Sequence, residues 1–239
     1  MRGAHASRVL FSASRRKRFL FPFSETLNGA TETVALPNGD LAADFNGSSE
    51  YLQVPNDAAL SVTDTGQLTV EAWVRPDTLQ FPAEEGTGYV NFVGKSSYGA
   101  GNQEEYELRM YSQVNKEVPV RPNRVSAYAF NLSGGEGSGA YFQDPVTVGQ
   151  WMMVTMVINT SAVSAAYPTG YIKIYKDAQL RGTVPLTQFN VIPQHGNAPF
   201  RVGTSSLESY FEGAIGKVAV FDYELSEAQI AQAYAAMTG

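Results

Sequence analysis

Along most of the chain, apolar residues come in short runs that alternate with polar ones, and Gly, Pro, Asn and Ser separate the runs. The clearest are L-A-A-D-F (41–45), Y-L-Q-V (51–54), Q-L-T-V-E-A-W-V (67–74), Y-V-N-F-V (89–93) and E-Y-E-L-R-M-Y (105–111). The series continues with R-V-S-A-Y-A-F (124–130), W-M-M-V-T-M-V-I (151–158), Y-I-K-I-Y (171–175), F-R-V-G (200–203) and I-G-K-V-A-V-F (215–221). A period of two interrupted by turn residues predicts strands, and so many at this spacing predict an all-β, two-sheet antiparallel sandwich.

Alternation also assigns faces. In 105–111 it sends Tyr106, Leu108 and Met110 to the core and Glu105, Glu107, Arg109 and Tyr111 to the other side. In 171–175 it buries Ile172 and Ile174 and leaves Tyr171, Lys173 and Tyr175 on an open face. One short helix is predicted at the end of the chain. Ser226 fits its N-cap, Gln229 completes a capping box, and Leu225 with Ile230 form a hydrophobic staple. Ile230, Ala233 and Tyr234 then share the face that docks on the sandwich.

Four of these segments together resemble the laminin-G-like, concanavalin A-like jelly-roll family. They are L-A-A-D-F-N-G-S-S-E-Y-L-Q-V-P (41–55), L-T-V-E-A-W-V-R-P (68–76), G-Q-W-M-M-V-T-M-V-I with Y-I-K-I-Y-K-D-A-Q-L, and F-R-V-G-T-S (200–205) with F-E-G-A-I-G-K-V-A-V-F-D-Y-E-L-S-E-A-Q-I (211–230). The resemblance implies a jelly roll over residues 41–239, preceded by a basic arm at 1–24 and a linker at 25–40. The chain departs from the family at Met152 and Met153, at the Asp177-Ala178 turn and at Gly216, which favours a retained scaffold over a retained polar site. Trp73 and Trp151 read as core residues between the sheets. Gly47, Gly203 and Gly213 read as turn or close-packing glycines.

Candidate chemistry is sparse. With no cysteine, disulfides, thiolate metal sites and Cys nucleophiles are excluded. His5 and His195 do not form a zinc pair, no G-x-S-x-G elbow or phosphate loop is present, and G-G-E-G-S-G (134–139) reads as a hairpin loop. Glycoside hydrolysis needs two carboxyls about 5–10 Å apart. Glu105 and Glu107, two apart on a strand, lie roughly 7 Å from each other. The resembling glucanases carry Glu-x-Asp-x-x-Glu, however, and Met110 stands where the third carboxylate belongs. The reading is therefore non-catalytic, with a glycosidase or lyase using Glu105 and Glu107 as the alternative. The family permits a calcium ion, with Asp44 or Asn46 as donors, but no Asp-rich loop supports it, so neither cofactor nor metal is expected.

Binding is the better-supported expectation. Glu107, Arg109, Tyr111, Tyr128, Lys173 and Tyr175 supply aromatic faces and planar polar groups for a glycan on the open face. A free-standing carbohydrate-binding module is the plainest form of that reading.

Charge changes the picture at the N-terminus. Arg2, Arg8, Arg15, Arg16, Lys17 and Arg18 give residues 1–20 a charge of +6 without a single acid. Taking those six from the 17 basic residues leaves 11 against all 23 acids, so the body carries −12. An acidic body repels nucleic acid, which leaves any polyanion to the arm. The stretch S-R-R-K-R-F-L-F-P-F (14–23) has cations but lacks the apolar segment of about 7–15 residues that a secretory signal needs. No run approaches the roughly 18 apolar residues of a membrane helix. Arg8, Arg15, Arg16, Lys17, Arg18, Phe19, Phe21 and Phe23 are expected to grip a partner protein. Arm plus sandwich resembles the layout of bacteriophage virion proteins that carry such jelly rolls on heads or tails. That resemblance implies a virion decoration protein within an oligomer or larger particle, displaying a lectin-like domain toward cell-surface polysaccharide; an extracellular or cell-surface location is the alternative.

Overall fold

The computed structural model describes residues 18–20, 27–97, 102–122, 124–142 and 144–239. In chain order the strands are β1 (Arg18–Leu20), β2 (Leu27–Asn28), β3 (Thr31–Ala35), β4 (Leu41–Asn46), β5 (Tyr51–Val54), β6 (Gln67–Pro76), β7 (Tyr89–Lys95) and β8 (Tyr106–Tyr111). They continue with β9 (Val125–Ala129), β10 (Ser138–Tyr141), β11 (Met152–Asn159), β12 (Tyr171–Lys176), β13 (Gln179–Pro185), β14 (Phe200–Val202) and β15 (Glu212–Phe221), before helix α1 (Glu227–Thr238). No helix among the described residues is long and apolar enough to cross a membrane.

Two antiparallel sheets form the predicted sandwich. One runs β13-β12-β11-β6-β15-β4-β3, with β1 added against β15, and the other runs β10-β9-β8-β7-β14-β5-β2. Strict alternation builds the space between them. Val70, Ala72 and Val74 of β6 and Val154, Met156 and Ile158 of β11 meet Tyr106, Leu108 and Met110 of β8 and Phe92 of β7 in one cluster. Each is essentially fully buried, and a side chain of that kind contributes about 1.5–3 kcal/mol when withdrawn from water.

Part of the outer face of the eight-stranded sheet is apolar as well, which is why β11 reads as a nearly continuous hydrophobic run. Trp73, Met153, Val157, Tyr175 and Phe221 form a second cluster with Leu225, Ile230 and Met237. The Trp73 ring stacks on Tyr234 of α1 at 5.6 Å with an interplanar angle of 8°. Trp151 is partly buried on the same face and donates from Nε1 to the Ala35 carbonyl at 3.0 Å. Neither tryptophan lies between the sheets, correcting the expectation above; alternation puts Trp73 opposite the inward Ala72 and Val74. The helix itself matches its prediction. Ser226 Oγ accepts from Gln229 N, and Ser226 N donates to Gln229 Oε1 at 2.9 Å.

The N-terminal organisation differs from the expectation. The stretch expected as a linker contributes β2 to one sheet and β3 to the other, with Ala30 and Leu36 buried. Within the arm, the backbone of Arg18–Leu20 pairs antiparallel with Phe221, Val220 and Ala219 of β15. Arg18 and Phe19 are thus part of a strand of the chain's own sheet. Arg8, Arg15, Arg16, Lys17, Phe21 and Phe23 lie outside the described residues.

Gly213 fits the close-packing role expected of it. Its φ is +133°, and a Cβ there would sit 2.3 Å from the Arg75 carbonyl oxygen on β6. Gly213→Ala is expected to lower stability by about 2–3 kcal/mol, combining backbone strain with a steric clash. Urea unfolding of both proteins checks this; an unchanged midpoint would refute the packing argument.

Candidate binding cleft on the seven-stranded sheet

The outer face of the second sheet is built from polar side chains. Register sets Asn91 of β7 opposite Arg109 of β8, and Arg109 opposite Ser126 of β9. One row along, Glu107 sits between Gly94 and Tyr128. Arg109 occupies the middle of this face and is 7% exposed. Its guanidinium carbon lies 3.8 Å from the Tyr89 ring centroid and 4.6 Å from that of Tyr128, so two aromatic rings hold it. Nε donates to Asn91 Oδ1 at 3.0 Å, and Nη2 lies 3.5 Å from Glu107 Oε2. Burial opposes the charge of Arg109, but Glu107 beside it raises its pKa above the ordinary arginine value.

Further hydrogen bonds fix these partners. Asn91 Nδ2 and Ser209 Oγ each donate to Glu85 Oε1 at 2.6 Å, while Ser205 Oγ donates to Glu107 Oε1 at 2.7 Å. Glu107 Oε2 is buried and accepts no hydrogen bond among the described residues. On the far side the Tyr111 and Tyr128 hydroxyls are 2.8 Å apart, and Arg121 Nη1 donates to them at 3.2 and 2.9 Å respectively. Arg121 comes from the loop between β8 and β9, which Asn115 ties down by accepting from the backbone N–H groups of Glu117 and Arg121, both at 3.1 Å.

Above this floor lies a cleft of about 610 Å³. Glu85, Tyr89, Glu104, Arg109, Arg121, Tyr128 and Phe130 line it, with Glu117, Val118, Gly135, Glu136, Gly137, Phe189 and Glu208 around them. Burial pushes the carboxyls of Glu85 and Glu104 up to about 7 each. Glu104 is only 3% exposed.

The six residues expected to form one glycan face divide between two sheets. Glu107, Arg109, Tyr111 and Tyr128 belong here, whereas Lys173 and Tyr175 are on β12 of the other sheet. Lys173 Nζ pairs with Glu224 Oε1 at 2.7 Å, and Tyr175 packs in the cluster beneath α1. Nor is the face open: Tyr111 is 0% and Tyr128 8% exposed, because rings and loops cover what alternation alone predicts to face water. Glu105 is likewise withdrawn, in a buried ion pair with Lys95 Nζ while accepting from Gly196 N at 2.9 Å. The Glu105 and Glu107 carboxylates are therefore each committed to protein partners. For a metal, Asn46 Oδ1 already accepts from Ser48 N and Ser49 N at 2.9 and 3.0 Å. No group of three His, Cys, Asp or Glu among the described residues is arranged to hold an ion.

Sequence reasoning missed Glu85, Tyr89, Glu104, Arg121 and Phe189. For Tyr89 a signal existed: in Y-V-N-F-V the polar Asn91 marks the outward face, and Tyr89 shares its parity. The other four come from chain outside the regular strands.

Residues 46–231 match the family model described as the concanavalin A-like lectin/glucanases superfamily. The chain belongs to that superfamily. No curated protein sequence matches it. Among solved structures, the receptor-binding domain of a botulinum neurotoxin C/D mosaic carrying tetraethylene glycol aligns with a TM-score of 0.60 and 11% identity, over 92% of this chain and 46% of that one. Botulinum neurotoxin type C, whose cell entry depends upon interaction with two ganglioside molecules, aligns with a TM-score of 0.59 and 11% identity, over 93% and 46%. The binding domain of botulinum neurotoxin DC in complex with SialylT gives 0.60 and 11%, over 93% and 47%. The chain thus spans less than half the length of these neurotoxin chains, and the likeness is one of fold.

The two raised carboxyls carry a stability signature. Below about 4.5, their ordinary value, both are protonated folded or unfolded, and the folded state is at no disadvantage. As pH climbs through about 7 the buried groups must ionise, so their contribution to stability is lost across that interval. The thermal midpoint should fall between those values, and Glu85→Gln should flatten the fall. An identical slope in the variant would contradict the burial assigned to Glu85.

Proposed function

We propose that this protein is a non-catalytic glycan-binding domain that receives sugar in the cleft on its seven-stranded sheet and is displayed on a larger assembly. The observation that carries the reading is the floor of the cleft. A guanidinium held between two rings and fixed by Asn91 and Glu107 presents a rigid polar surface, with Tyr89 and the 39% exposed Phe189 beside it. Sugar rings ask for that combination of apolar faces and immobile hydrogen-bonding groups. The fold shared with botulinum neurotoxin type C, whose cell entry depends upon interaction with two ganglioside molecules, supports the same direction.

The commitment of Glu105 to Lys95 and of Glu107 to Ser205 and Arg109 supports binding over hydrolysis by that pair. For display, the supporting observation is the charge split between a +6 leader and a −12 body, which suits a leader seated on an acidic neighbour in a virion head or tail.

A glycan panel followed by calorimetry tests the binding reading. One class of oligosaccharide should bind, and Phe189→Ala should weaken it about tenfold, equivalent to about 1.4 kcal/mol, without moving the thermal midpoint. A blank panel, or cleavage of the bound sugar, would overturn the reading. For display, deleting residues 1–17 spares β1 and should leave a folded body that no longer joins the assembled particle; normal incorporation would refute it.

A further inference from the structure

The charges of the cleft are unevenly committed. Arg109 and Arg121 are the basic residues lining it, and both are engaged: Arg109 with Asn91 and Glu107, Arg121 with the two tyrosine hydroxyls. Against them stand five lining carboxyls, those of Glu85, Glu104, Glu117, Glu136 and Glu208. Glu85 receives Asn91 and Ser209, and Glu117 receives Thr87. Glu104 is different. It is 3% exposed, lines the cleft, and its carboxyl accepts no hydrogen bond and makes no ion pair among the described residues. The residue is almost wholly withdrawn from water while its carboxyl oxygens are not among the sealed, unpaired atoms, so they open only to the cleft; a ligand that displaces the water there must bring a donor in its place.

We infer that the ligand of this cleft carries a protonated amine, and that the sugar it selects is a 2-amino-2-deoxy sugar with its nitrogen free, the amine seating on the orphan carboxyl of Glu104. The inference rests on the proposed glycan-binding reading and narrows it. An ammonium supplies up to three donors and a full charge, whereas a hydroxyl supplies one donor and none. Two exposed acids that also line the cleft and have no side-chain partner among the described residues, Glu136 and Glu208, add to its negative charge. The −12 body adds a field that attracts cationic sugars and repels uronates, sialates and sulfated chains. Burial chiefly, and then the neighbouring Glu107, raise the pKa of Glu104, with Arg109 opposing them; a cation seated on the carboxyl would lower it again.

A matched pair of ligands isolates the amine. Calorimetry of the full chain at neutral pH would compare a β-1,4-linked glucosamine oligomer with the same oligomer N-acetylated, and with a uronate oligomer of equal length. The free-amine oligomer should bind at least tenfold more tightly than its acetylated counterpart, with the uronate weakest. Glu104→Gln, which keeps the side-chain shape, should abolish that preference while leaving the acetylated oligomer unchanged. Should that variant fold poorly, the double substitution Glu136→Gln, Glu208→Gln at the exposed rim should still reduce the preference severalfold. Equal or tighter binding of the acetylated or uronate oligomer overturns the inference but leaves the glycan reading standing. If none of the three binds and the wider panel is blank, the glycan reading itself fails.

Discussion

Withdrawing a guanidinium from water is costly unless rings and a counter-charge replace its hydration, and most of the seven-stranded sheet's outer face is arranged around doing so for Arg109. Tyr89 and Tyr128 cover its faces, Asn91 takes Nε, and Glu107 stands against Nη2. Those partners are held in turn: Asn91 by Glu85, Glu107 by Ser205, Tyr128 by Tyr111 and Arg121. Each tier of bonds depends on the one beneath, so the floor of the cleft behaves as a single rigid unit.

The two sheets solve the same packing problem with different chemistry. Beneath α1, on the outside of the eight-stranded sheet, hydrocarbon meets hydrocarbon: Trp73 stacks on Tyr234, and Ile230 and Met237 close the cluster. Such contacts are non-directional, and they tolerate solvent only at their margin. Outside the other sheet, loops bring oxygen and nitrogen to meet charged strand residues, leaving groups such as the Glu107 Oε2 atom with capacity to spare. One face is finished by the chain, while the other retains a cavity with polar atoms in it.

How much of this was readable beforehand follows from what each signal encodes. Period-two alternation located β6, β8, β9, β11 and β12 within a residue or two and began β15 three residues late, and it sorted Tyr106, Leu108 and Met110 correctly from their neighbours. The capping box placed α1, because Ser226 and Gln229 bond locally and need no tertiary context. Alternation gives sidedness, though, and not cover: it separates Arg109 from Leu108 but is silent about loops that close over Arg109 from elsewhere in the chain. Hence Tyr111, Tyr128 and Tyr175 were expected in water and are buried, and Lys173 was grouped with residues of the opposite layer. The edge strand β13, Q-L-R-G-T-V-P, escaped because its exposed residues leave no hydrophobic rhythm to detect. Glu104 escaped because a carboxyl's isolation is a property of three-dimensional neighbours.

The pairing of Arg18–Leu20 with β15 has a geometric corollary. That short strand belongs to one layer of the sandwich, and the cavity opens from the other. In the display proposed above, a partner seated at that strand would lie against the layer opposite the cavity and leave the cavity facing the surroundings. The sheet order would then fix the polarity of such mounting.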